Sequence, residues 1–131
     1  NFVLVYGRRN NKCLEGYSLK SMNDVDDLVS RLPRYSKERE ILERFLNSQS
    51  IYAQVDENGR IVLPPKLRQI AKITSKAMFV GMGEKFQIWE PDSYQKDMEL
   101  MEQRLSENNL EEEIYSLLDD REKTLKRYEE S

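Results

Sequence analysis

The sequence predicts an α+β fold with flanking helices and a charged helical tail. Three observations predict it. Residues 2–17 and 77–89 each read as strand, polar or glycine-containing turn, and return strand. Two segments between them, around Val25–Leu32 and Ile41–Leu46, repeat apolar residues at helical spacing. From Pro91 onward the pattern is helical in a strongly charged background.

Taken in order, Phe2 to Tyr6 is a strand, Gly7 to Lys12 a polar turn containing Asn10-Asn11, and Cys13 to Tyr17 the return strand. Asn23 is suited to cap a helix whose apolar positions are Val25, Leu28, Val29 and Leu32, and Pro33 ends it. Ser36 opens a second helix with Ile41, Leu42, Phe45 and Leu46 on one face, and residues 47–50 connect it onward. Ile51 to Val55 is a strand, and Asp56-Glu57-Asn58-Gly59 makes a turn, since Asn-Gly tolerates positive φ. Arg60 to Leu63 is the expected return strand. Pro64-Pro65 stops ladder pairing and starts a helix with Leu67, Ile70 and Ala71 inward and Lys66 and Lys72 outward. A hairpin of Ala77–Gly81 with Lys85–Trp89 follows. In the tail, Tyr94, Met98, Met101 and Leu105 form one stripe, residues 106–109 an interruption, and Leu110, Ile114, Leu117, Leu118, Leu125 and Tyr128 a second stripe. That stripe reads as a solvated helical tail, the alternative being a partner-binding helix.

The bulk numbers exclude several classes of function. The 131 residues suffice for one ordinary domain, with 38% hydrophobic and 34% charged residues. No apolar run approaches the roughly 20 residues of a membrane span, and Phe2–Tyr6 is too short for a secretory signal. One cysteine, Cys13, rules out an intrachain disulfide and a cysteine-cluster zinc site, and fits a reducing cytoplasm. The absence of histidine removes the usual Ser-His-Asp and Cys-His catalytic arrangements and histidine-bearing zinc sites. We therefore expect no enzyme, no metal and no cofactor. The net charge of −3 hides a division: residues 1–89 hold 15 Lys/Arg against 10 Asp/Glu, and residues 90–131 hold 6 against 14. A basic body with an acidic tail leaves nucleic acid open as a partner.

The two hairpins share a plan. Val3-Leu4-Val5-Tyr6-Gly7 matches Met78-Phe79-Val80-Gly81-Met82, Leu14 to Tyr17 corresponds loosely to Gln87 to Glu90, and a helix follows each.

Residues 51–94 carry a sharper signal. The pattern is an acidic residue, three residues and an arginine, then an apolar strand, prolines and a helix with Leu-Arg. An apolar-Val-Gly strand and an aromatic-x-Ile-Trp strand with a following proline complete it. Asp56, Gly59, Arg60, Ile61, Leu63, Pro64, Pro65, Leu67, Arg68, Val80, Gly81, Phe86, Ile88, Trp89 and Pro91 fill it in order. This stretch resembles the second half of the MraZ family of bacterial transcriptional regulators. The resemblance implies an AbrB-like swapped-hairpin β-barrel repeat, present twice per chain, in subunits that assemble into rings. It implies binding to short direct repeats in the double-stranded promoter DNA of the division and cell-wall gene cluster, in the cytoplasm at the nucleoid. It divides the chain into 1–22, a remnant of the first repeat with its second hairpin only; 23–50, a helical linker; 51–94, the second repeat; and 95–131, the tail. The first repeat's own D-x-x-x-R hairpin is expected about thirty residues before Phe2, so the chain reads as a fragment or a shortened relative.

The DNA contacts implied are those of the loop Asp56 to Arg60. Arg60, at the turn exit, is placed to engage phosphates or guanine bidentately; the alternative is a surface arginine paired with Asp56. Asp56 repels phosphate, so its expected work is to cap the turn and orient Arg60 or Arg68. Asn58 and Gly59 make the turn, Asn58 with a possible base or phosphate contact. Lys66 lies near a helix start, where backbone N–H groups also favour anions. Arg68 reads as a structural ion-pair partner. Trp89 with Phe86 reads as core rather than a base-stacking platform, Gly81-Met82-Gly83 lacks the form of a phosphate loop, and Asp92 beside Glu90 reads as a helix cap. Self-association is expected, with Leu63, Phe79, Ile88 and Trp89 buried. An antitoxin-like partner-binding module and an oligomerising scaffold without DNA remain as alternative functions.

Overall fold

A computed structural model describes residues 1–7, 12–108 and 110–119. The chain divides into two compact units, Asn1–Tyr94 and Gln95–Ser131. The element order is β1 (Phe2–Val5), β2 (Leu14–Ser18), α1 (Leu19–Ser30), α2 (Lys37–Ser48), β3 (Ser50–Ala53), α3 (Pro65–Ile70), β4 (Met78–Gly81), β5 (Lys85–Trp89) and α4 (Pro91–Asn108). The architecture is α+β, as the hydrophobic pattern predicts.

The first unit is built on one antiparallel five-stranded sheet in the order β3-β1-β2-β5-β4. Strand β1 is buried on both faces, and its alternation explains how. Phe2, Leu4 and Tyr6 face a core completed by Leu14, Ile88, Leu67 and Ala71. Val3 and Val5 face the opposite side, with Tyr17 and Met22, and Val25 and Phe45 pack onto them from α1 and α2. A four-residue strand therefore joins two apolar layers, which is why its sequence is uninterrupted Phe-Val-Leu-Val.

Helix α1 begins at Leu19, not after Asn23. Ser18 ends β2 and caps α1 at once, its hydroxyl accepting the Ser21 N–H at 3.0 Å. The strand thus passes into the helix without a connector, and Asn23 lies on its exposed side. Met22 and Val29 make the buried stripe, while Leu28 is turned outward. Helix α2 starts where Ser36 predicts, the serine side chain accepting the Arg39 N–H at 3.3 Å.

Residues 60–63 differ from expectation. They are extended but join no sheet. The inward–outward alternation survives, since Ile61 and Leu63 pack against the core and Val62 is 83% exposed. Arg60, Val62 and Pro64 line a concavity together with Ile51 to Gln54, with no ladder between the two stretches. Apolar contact replaces ladder hydrogen bonding.

The second hairpin forms as read, with Met82 N–H donating to the Lys85 carbonyl at 2.8 Å across the turn. Gly81-Met82-Gly83 serves that turn, with Gly83 at φ +82°. Ile88 and Trp89 are buried and Leu63 half-buried, but Phe79 is 58% exposed. It sits on β4, an edge strand of the described sheet, over a groove of about 650 Å³ lined by Phe2, Phe79, Phe86, Val55 and Ile61. Glu90 caps α4, accepting the Asp92 N–H at 3.0 Å and the Ser93 N–H at 2.7 Å. Asp92 is the first-turn acid, not the cap. The Glu90 side chain reaches forward past Pro91 into the first turn of the helix.

In the second unit the rest of α4 is helical through Asn108, so residues 106–108 form no break, and Asn109 lies outside the described residues. Residues 110–119 are helical, with Ile114, Leu117 and Leu118 exposed. Leu125 and Tyr128, expected in the same stripe, and the Asn10-Asn11 turn also fall outside the described residues.

Candidate nucleic-acid interface

The loop from Asp56 to Arg60 is a closed, self-capped turn. The Asp56 N–H donates to the Arg60 carbonyl at 2.8 Å, and the Gly59 N–H donates to the Asp56 carbonyl at 3.1 Å. Asp56 Oδ1 accepts from the Asn58 N–H and from the Arg60 N–H, both at 2.8 Å. One carboxylate oxygen thus gathers two backbone donors that the turn geometry leaves without a ladder partner, which is how an aspartate holds a turn. Gly59 takes φ +74°, the left-handed conformation that an Asn-Gly sequence supplies, with open space where a Cβ would stand. Asn58 itself keeps negative φ, so the glycine alone carries that requirement.

Residues 54–60 are all exposed. Among the described residues Arg60 enters no ion pair with Asp56, nor does Arg68 find the acidic partner expected of it. Asp56 therefore positions Arg60 through the backbone. Arg60 lines a concavity of about 430 Å³ together with Tyr52, Gln54, Val62 and Pro64.

Lys66 is placed by a contact that sequence reasoning missed. Its Nζ lies over the Tyr6 ring, 5.3 Å from the centroid. Tyr6 is held by its own N–H, which donates to the Gln49 carbonyl at 3.0 Å, and by its hydroxyl on the Ser48 carbonyl at 3.3 Å. Lys66 lies in the first turn of α3, a helix of six residues, where the Leu67 and Arg68 N–H groups donate to the Pro64 carbonyl. No sequence signal links Tyr6 to Lys66, sixty residues apart; only the docking of α3 on β1 does so.

Charge continues beyond the loop. Residues 58–83 contain Arg60, Lys66, Arg68, Lys72 and Lys76 and no carboxylate. All five are exposed. Trp89 is no stacking platform: it is 2% exposed, its Nε1 donates to Gln87 Oε1 at 2.9 Å, and Tyr94 meets its ring edge-on at 5.6 Å. Among the described residues no group of His, Cys, Asp and Glu is arranged to hold a metal, and no helix is long and apolar enough to cross a membrane.

Sheet, hairpins and cation-bearing turn define an α+β protein with two hairpins in one sheet and an aspartate-capped surface loop. The family model described as "MraZ protein, putative antitoxin-like" matches residues 49–120, and the chain belongs to the MraZ family. It is 46% identical over 94 residues to the transcriptional regulator MraZ of Ruegeria sp. (strain TM1040), covering 72% of this chain and 56% of that protein. It is 42% identical over 106 residues to the transcriptional regulator MraZ of Ruegeria pomeroyi, covering 80% and 64%. The corresponding protein of Rickettsia canadensis is 33% identical over 96 residues, covering 73% and 64%. The chain thus spans between about half and two thirds of the length of these relatives.

Proposed function

We propose that this chain belongs to a sequence-specific DNA-binding transcriptional regulator that reads promoter repeats with the 56–60 loop. The observation that carries the reading is the pairing of an aspartate-capped turn, which presents Arg60 without an ion-pair partner among the described residues, with a carboxylate-free cationic stretch over residues 58–83. The relatives' name, transcriptional regulator, supports it. Arg60 contacts a base edge or phosphate, Lys66 a phosphate, and Asn58 a neighbouring group; Asp56 shapes the loop. The targets are short direct repeats in the promoter of the division and cell-wall gene cluster, and the site of action is the nucleoid.

The regulator acts as an oligomer, in which many copies of one weak loop engage repeated sites together. The edge strand β4, with Phe79 58% exposed, and Tyr52 on β3, 83% exposed, support self-association. Residues 1–22 are the second hairpin of a first repeat and 51–94 the second repeat. Their shared register, Val5 opposite Glu15 and Val80 opposite Gln87, supports this division.

Fluorescence anisotropy across a salt series, with a direct-repeat promoter and a scrambled duplex, tests the function. Tighter, salt-sensitive binding to the repeats is expected. Equal affinity for both duplexes contradicts sequence-specific reading by this chain. A second reading, an antitoxin-like module that binds a protein, is favoured by the exposed Ile114, Leu117 and Leu118 of the tail. One stoichiometric protein partner released by deleting residues 110–131 is its expected signature.

A further inference from the structure

A buried ion pair joins the two hairpins. Lys85 Nζ lies 2.6 Å from Glu15 Oε2, with the Glu15 side chain 2% exposed and that of Lys85 25% exposed. Nothing in DNA binding uses this pair, and a buried charge is costly to desolvate. Its position explains why it is there.

The hairpins pair through β2 and β5, with Leu14 opposite Ile88, Glu15 opposite Gln87, Gly16 opposite Phe86 and Tyr17 opposite Lys85. Within the first hairpin Val3 faces Tyr17 and Val5 faces Glu15; within the second, Met78 faces Trp89 and Val80 faces Gln87. Aligning the hairpins on Val5 with Val80 and on the buried aromatics Tyr17 and Trp89, consistent with both ladder registers, sets Glu15 rather than Leu14 on Gln87, and Cys13 on Lys85. Glu15 and Gln87 are equivalent residues, and they stand directly opposite each other. A local twofold axis passes between them.

Two copies of either hairpin fit this same register. Pairing β2 with another β2 sets Glu15 against Glu15, both buried, with Cys13 where Lys85 supplies the cation. Pairing β5 with another β5 sets Gln87 against Gln87 and leaves two partly buried lysines without a carboxylate. Only the mixed pairing brings Glu15 to Lys85. We infer that Glu15 and Lys85 form a charge code that directs the first hairpin onto a second hairpin and away from a copy of itself. The pair acts on the choice of partner more than on stability, because an apolar pair of similar size holds such a position as well. In a protein with two similar hairpins per chain, this choice excludes the pairing of like hairpins.

The test uses charge inversion in the 131-residue chain. Glu15→Lys, Lys85→Glu and the double variant are compared by thermal melting and native mass spectrometry. An equimolar mixture of the two single variants, refolded together, is compared with parent refolded with isotope-labelled parent. Each single variant is expected to lose the parental melt and the parental mass distribution, and the double variant to recover both. The mixture is expected to form species containing both chains well beyond the parental mixing control, since each first hairpin finds its complement on the other chain. The neutral pair Glu15→Gln with Lys85→Met is expected to melt cooperatively yet populate several masses. Single variants with parental behaviour, a double variant that does not recover, a mixture no richer in mixed species than the control, or a neutral pair with the parental mass distribution each overturn the inference.

Discussion

Asp56 holds Arg60 entirely through the main chain: its N–H donates to the Arg60 carbonyl at 2.8 Å, and its Oδ1 accepts the Arg60 N–H at the same distance. The acid in a D-x-x-x-R pattern thus leaves the guanidinium unengaged. Its carboxylate serves the turn as a hydrogen-bond acceptor.

Exchange of Asp56 separates that acceptor from its negative charge. Asp56→Asn keeps an Oδ1 acceptor and removes the charge, so DNA affinity is expected to hold or rise. Asp56→Ala loses two hydrogen bonds, worth about 1 kcal/mol each at most in so exposed a loop, and is expected to weaken DNA binding with little change in melting temperature. Anisotropy and thermal melting of the two variants check this. Weaker binding by the Asn variant than by the Ala variant contradicts the capping role.

Lys66→Met keeps an apolar stem against Tyr6 while removing the ammonium 5.3 Å from its ring. Affinity is expected to fall by a similar factor for repeat and scrambled DNA. The salt dependence is expected to become shallower by about one unit of log–log slope, the signature of one lost phosphate contact. A loss confined to the repeat duplex makes Lys66 a base reader instead.

Gly16 is a packing requirement. A Cβ there meets the Phe86 ring at 2.1 Å, and that ring is flanked by Phe2, with centroids 5.7 Å apart. Gly16→Ala is expected to destabilise the fold by about 1–3 kcal/mol through overpacking, and Phe86→Leu in the same chain to recover part of it. Chemical denaturation of the three proteins measures both effects.

Among the described residues, the apolar clusters of the first unit draw on none beyond Ile88. A chain ending at Leu105 is expected to keep the parental melting temperature within a few degrees and the parental oligomer size by light scattering. Dissociation on this truncation assigns the association to the tail.

Much of this arrangement is legible in the sequence where the determinant is local. Ser36 announces α2, Asn58-Gly59 the turn, and Pro65 the start of α3. Misreadings arise where the determinant is a distant neighbour. Asn23 has the right chemistry for a cap, but Ser18 reaches the first turn because β2 runs directly into α1. Residues 60–63 have strand chemistry, yet they join no sheet, and Ile61 and Leu63 pack against the core instead. Nothing local in Leu-Glu-Gly-Tyr marks Glu15 as buried; its burial depends on the pairing of β2 with β5 and on Lys85. Phe79 alternates as a core residue, and its exposure follows from the end of the sheet at β4.

The central claim is that Arg60 reads DNA, and the most direct measurement is anisotropy of Arg60→Ala beside the parent on direct-repeat and scrambled duplexes. Arg60 is exposed and supports the turn only with its main chain, so melting temperature and oligomer size are expected to stay parental. The account predicts that the variant loses the parent's preference for the repeats, falling to the affinity of the scrambled duplex. A variant that keeps the parental discrimination between the two duplexes contradicts it.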